Sequence, residues 1–132
     1  RELTTPEYSV DVLKAEFPTD LKYAEELGQD PLELCRELDR ASQVPWVLLS
    51  AGVDFEEFRE QLKYAVEAGA SGFLCGRAIW KESVKAPNMD EFLSTVGVKR
   101  LNEIVEIVEE KATPWYKKFV DSISEIELER GE

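Results

Sequence analysis

Hydrophobic positions along the chain switch between a period of two and a period near 3.6. The segment Tyr8–Phe17, YSVDVLKAEF, concentrates β-branched and aromatic residues and reads as a strand, which Pro18 ends. Residues Asp30 to Ala41 read as a helix, with Asp30 as N-cap, Pro31 at the first helical position, and Leu32, Leu34, Cys35 and Leu38 at helical spacing. The run Pro45-Trp46-Val47-Leu48-Leu49 is wholly apolar, as expected of a strand covered on both faces. After the turn Ser50-Ala51-Gly52-Val53, Asp54 caps a helix of about 15 residues. Phe55, Phe58, Leu62, Ala65 and Val66 share one side of it, and Gly69 ends it.

Ser71–Cys75 reads as another short buried strand, and Gly76-Arg77 turns into the helical start Ala78-Ile79-Trp80. A loop at Pro87-Asn88 precedes helical segments over Asp90–Thr95 and Val98–Lys111, and Pro114 breaks the chain before Trp115–Ile123. Strand, helix, strand, helix, strand, helix is the order of a parallel α/β sheet with right-handed crossovers. Three such strands alone leave two apolar edges, so the pattern predicts that they are covered by a second copy or by an N-terminal half.

Composition narrows the function classes. Among 132 residues, 28 are acidic and 16 basic, and the net charge is −12. That balance excludes a nucleic-acid backbone or an anionic membrane surface as a partner. No apolar run approaches the roughly 18 residues needed to cross a bilayer. The opening Arg1-Glu2-Leu3 has no signal-peptide character, and a start on Arg suggests a trimmed chain. Histidine is absent, and the two cysteines, Cys35 and Cys75, form no CxxC pair. This removes His-based metal sites and Cys/His or Ser/His nucleophile systems, and it predicts a reducing, cytoplasmic setting. The Glu-rich end, Ser124–Glu132, reads as a solvated tail beyond a structured unit over residues 1–123.

Candidate chemistry then falls on three strand ends. Strand alternation puts Val10, Val12, Lys14 and Glu16 on one face. A lysine following two valines is either a nucleophile, since burial favours the neutral amine, or a strand-end residue that snorkels to water or pairs with Glu16. On those grounds alone the plain reading is the stronger. Leu49-Ser50-Ala51-Gly52 and Gly76-Arg77 follow consecutive strands. Small residues there let backbone N–H groups approach an anion, the helix N-termini beyond favour negative charge, and Arg77 adds a bidentate clamp. Glu16 is a candidate acid/base, Cys75 reads as a buried structural thiol, and Trp46, Trp80 and Trp115 read as packing between helices and sheet.

The stretches VDVLKAEFP (Val10–Pro18), PWVLLSAGVD (Pro45–Asp54), AGASGFLCGRAIW (Ala68–Trp80) and ATPWY (Ala112–Tyr116) resemble the class I tagatose-1,6-bisphosphate aldolases, a family that includes sulfofructose-phosphate aldolases. The resemblance runs from Val10 to Lys118. It implies that the chain is the C-terminal half of a TIM (β/α)8 barrel, about three β/α units holding strands six to eight. It places the Schiff-base lysine at Lys14 and a substrate phosphate at Leu49, Ser50, Gly52, Gly76 and Arg77. It implies neither metal nor cofactor, and a phosphorylated sugar as substrate. The family's first five strands, with its acid/base glutamate, have no counterpart here, so the resemblance also leaves open a non-catalytic half-barrel.

Overall fold

A computed structural model describes residues 2–121. The acidic segment Ser124–Glu132 and the last part of the Trp115–Ile123 stretch lie outside the described residues. The architecture is α/β, with three parallel strands in the order β1-β2-β3: β1 (Leu13–Ala15), β2 (Trp46–Leu49) and β3 (Gly72–Leu74). The helices are α1 (Pro31–Ala41), α2 (Phe55–Glu67), the single turn α3 (Arg77–Trp80), α4 (Met89–Phe92) and α5 (Val98–Lys111). A π-type segment, Leu93–Gly97, joins α4 to α5 without a break in the helical backbone. Among the described residues no helix is long and apolar enough to cross a membrane.

The local signals explain most of these elements. Asp30 caps α1 by accepting from the Leu32 and Glu33 N–H groups at 2.9 and 3.3 Å, an arrangement worth about 1 kcal/mol. The expected apolar side of α2 is buried to the last residue, with Phe58, Leu62 and Ala65 fully enclosed. Gly69 follows at φ +116°, where a β-carbon would lie 2.9 Å from Asp39 Oδ1. Asp39 is held there because it accepts from Trp46 Nε1 at 3.1 Å and pairs with Lys118 at 2.9 Å.

The first strand departs from expectation. Only Leu13–Ala15 pairs, although the whole of Tyr8–Phe17 has strand composition. Pro6–Tyr8 forms a 3-10 turn closed by Ser9 in the left-handed region at φ 50°. Pairing begins where Leu13 N–H donates to Pro45 O at 2.9 Å, and Pro45, lacking an N–H, cannot extend the ladder backwards.

Burial of the strands departs too. Helices cover only one face of the sheet. Leu13, Ala15, Trp46, Leu48 and Phe73 point to that face and join α2, Leu38, Ile104, Ile107 and Val108 in one core. The opposite face carries Val12, Lys14, Val47, Leu49, Gly72 and Leu74, and no layer of described residues lies over it. Val12 is 50% and Leu74 51% exposed, so neither β2 nor β3 is covered on both sides. In a parallel sheet, apolar residues on both faces are expected where both faces are covered. The sequence of this unit is therefore suited to a second layer over its bare face.

Candidate functional site

The register places Lys14 beside Val47, and Val47 beside Gly72, so one row crosses the bare face from the middle of β1 to the first residue of β3. Just beyond the ends of β2 and β3 lie the two glycine-containing turns. Lys14, Leu49, Ser50, Ala51, Gly52, Leu74, Cys75, Gly76, Arg77 and Trp80 together line an open cleft of about 450 Å³. Lys14 and both proposed anion turns thus converge on one site, although they are far apart in sequence. Ligand crevices at the carboxyl ends of parallel strands are the general rule for such sheets.

The turn after β2 is tightly made. Ala51 and Gly52 are consecutive left-handed residues, at φ 48° and 87°. For Ala51 this conformation costs roughly 1–2 kcal/mol, and strain of this kind collects at functional sites. Ser50 N–H donates to Leu74 O at 3.1 Å, and Val53 N–H donates to Ser50 O at 3.0 Å. Gly52 serves a second purpose, because a β-carbon on it would sit 3.0 Å from Arg77 Nη2. The guanidinium of one turn therefore lies directly against the backbone of the other. Asp54, at the N-cap of α2, does not cap that helix; its carboxylate pairs instead with Lys81 at the end of α3. This pairing holds the Asp54 carboxyl below its ordinary value, chiefly through the hydrogen bond from Lys81.

Charge in the cleft is one-sided. No Asp or Glu lines it, in a chain whose acidic residues outnumber the basic ones by 28 to 16. Several cations elsewhere are matched: Arg59 meets Glu103 at 3.1 Å, Arg100 meets Glu82 at 2.8 Å, and Lys118 meets Asp39 at 2.9 Å. Lys14 and Arg77 have no carboxylate partner among the described residues. Two cations without carboxylate partners thus face one cleft beside glycine turns, an arrangement whose field attracts anions. Helix dipoles add little at the second turn, contrary to expectation, because α3 is a single turn.

The surroundings of five residues bear on how each is read. Lys14 is exposed, because the face it shares with Val12 is bare, so its desolvation is not supplied by the described residues. Glu16 does not share the cleft; it lines a neighbouring depression of about 170 Å³ with Thr19, Asp20, Glu57 and Gln61, among others. Of the tryptophans only Trp46 is packed in the core, while Trp80 is 42% and Trp115 50% exposed. Trp80, like Leu74 and Cys75, lines the cleft without having been assigned to it from the sequence. Its place three positions after Arg77 on a helical turn was the available signal.

Cys75 is half-buried at the cleft, and desolvation raises its pKa despite hydrogen bonding to Ser50. Burial alone pushes Cys35 up to about 12. Because thiolate is the reactive form, we expect a maleimide at neutral pH to label Cys75 slowly and Cys35 only after unfolding. Inorganic phosphate should slow the Cys75 reaction. Peptide mass mapping with and without phosphate checks both expectations, and rapid native labelling of Cys35 would contradict them.

The tagatose 1,6-diphosphate aldolases of Staphylococcus aureus strains JH9, Newman and N315 are each 36% identical to this chain over 129 aligned residues. These alignments cover 86% of this chain but 40% of each relative, so the chain spans about two fifths of their length. The family model described as DeoC/LacD family aldolase matches residues 4–82, a span that includes Lys14, both anion turns and α3. That match takes in more than half of the sequence, and the chain belongs to the DeoC/LacD aldolase family.

Proposed function

We propose that the protein is a class I aldolase that cleaves a phosphorylated ketose, with Lys14 as the Schiff-base amine. The observation that carries this reading is the cleft itself, where two cations without carboxylate partners, Lys14 and Arg77, face the same glycine turns. In the proposed reaction the Lys14 amine adds to the C2 carbonyl, and loss of water gives a protonated imine. A base takes the proton of the C4 hydroxyl, the C3–C4 bond breaks, and its electron pair enters the imine to form an enamine. Protonation at C3 and hydrolysis return the amine. Ser50, Gly52, Gly76 and Arg77 hold the phosphate of the ketone half, while Leu49 provides an apolar wall. With tagatose 1,6-bisphosphate the products are dihydroxyacetone phosphate and glyceraldehyde 3-phosphate.

The same reading makes the chain the C-terminal half of a (β/α)8 barrel and the bare sheet face part of the barrel interior. Further strands over that face would exclude water around the attacking amine, which favours its neutral form. They would also bring the acid/base group, since no carboxylate lines this cleft. Pre-organised acid–base help is worth about 10² to 10⁴ in rate, so the reading expects this unit alone to be feeble. The bare face also favours a second reading of the unit by itself, a non-catalytic half-barrel that self-associates. A stable monomer by native mass would count against that.

The test is an assay on the intact protein with tagatose 1,6-bisphosphate, following triose phosphate release through a coupled reductase. Release of both products in equal amounts supports the reading. No release overturns it, and release only from a sulfonated ketose phosphate keeps the chemistry but changes the substrate.

A further inference from the structure

A second group of residues bears on the cleft without lining it. α3 is a single turn, Arg77–Trp80, and helices of this length are not self-supporting. Yet α3 carries both Arg77 and Trp80, one turn apart and both on the cleft wall. Its orientation must therefore come from tertiary contacts. Ala78 and Ile79 pack into the core, and Arg100, near the start of α5, supplies the polar contacts. Its Nη1 donates to Ile79 O at 3.0 Å, a carbonyl where α3 gives way to the 3-10 turn Lys81–Lys85. The same guanidinium meets Glu82 through two bonds, Nη1 to Oε2 at 2.8 Å and Nη2 to Oε1 at 3.0 Å. Its carbon lies 5.1 Å from the ring centre of Phe55 and 5.7 Å from that of Phe92.

Phe55 is the first residue of α2, directly downstream of the Ser50–Val53 turn. Arg100 thus touches the elements that follow both anion turns, and it does so from outside the cleft, which it does not line. A planar guanidinium with a fork of donors and two stacking faces can make all these contacts at once, and a lysine cannot.

We propose that Arg100 is a positioning residue for anion binding: held by Glu82, Phe55 and Phe92, it sets the seat of α3 so that Arg77 lies against Gly52 and faces the cleft. The inference rests on the phosphate reading of the cleft but does not need the aldol chemistry. A misplacement of about 1 Å in a positioned group can cost up to about a hundredfold. Because the seat of α3 concerns the phosphate end of the ligand, affinity should suffer more than turnover.

The experiment uses the intact protein in three forms: wild type, Arg100→Lys and Glu82→Gln. Equilibrium binding of inorganic phosphate is measured for each, with KM and kcat for the phosphorylated ketose where cleavage is detected. Circular dichroism confirms that each form is folded. We expect Arg100→Lys to weaken phosphate binding and raise KM by about tenfold, with kcat within about twofold. Glu82→Gln leaves Arg100 in place but weakens its anchor, and should shift affinity the same way by a smaller factor. If Arg100→Lys does not fold, Glu82→Gln decides. A folded variant that binds phosphate as wild type does overturns the positioning role and leaves the cleft assignment standing. Failure of wild type to bind phosphate overturns the anion reading and this inference together. Wild type that binds phosphate but cleaves nothing removes the aldolase reading while the binding arm still decides on Arg100.

Discussion

Lys14→Met should abolish ketose cleavage by the intact protein, with a loss on the order of 10³-fold or more, the scale seen when a covalent nucleophile is removed. The side chain loses its amine and keeps a similar length, so the β1–β2 ladder and the cleft walls should persist. Lys14 pairs only through its backbone, in register with Val47, and its side chain contributes nothing to the core on the other face of the sheet. Phosphate affinity should fall only modestly, because the Ser50–Gly52 and Gly76–Arg77 turns remain. A variant that retained a tenth of wild-type turnover would remove Lys14 from the covalent step. A variant that failed to bind phosphate would make it a binding residue instead.

Arg77→Met should give the opposite pattern. A charge-assisted hydrogen bond contributes about 1.5–3 kcal/mol, so KM for the phosphorylated ketose and the dissociation constant for phosphate should both rise about 10- to 100-fold. Turnover at saturation should change far less. Arg77→Lys keeps a charge but not the fork, and should fall between. Gly52→Ala reaches the same outcome from the other turn. It strains a residue at φ +87° and pushes a methyl group to within 3.0 Å of Arg77 Nη2, so the guanidinium must move. Titration with phosphate, followed by isothermal calorimetry, checks all three. Equal phosphate affinity across the series would show that the two turns do not form the anion seat.

How much of this could be read from the sequence follows from how local each signal is. α1 rests on its Asp30 cap, and the buried side of α2 and the span of α5 on a 3.6 period, signals written within the segment itself. The length of β1 depended on its partner strand, whose Pro45 accepts from Leu13 but has no N–H with which to extend the ladder, a constraint written outside the segment itself. That Lys14 and the turns at Gly52 and Arg77 line one cleft was expected from the family resemblance, since on residue chemistry alone the plain reading of Lys14 was the stronger. What did not follow was how the pieces meet. Trp80 on the cleft wall, the pairing of Asp54 with Lys81, and Arg77 resting on Gly52 are long-range contacts. Strand burial was overestimated because apolar composition reports the environment a strand is built for, and here only the helical side of the sheet is covered.

The proposed chemistry depends on one covalent bond. Intact protein incubated with the phosphorylated ketose, reduced with borohydride and digested, should carry the reduced ketose adduct on the peptide containing Lys14 and on no other. An adduct on a different lysine, or steady cleavage with no trapped adduct at all, would contradict it.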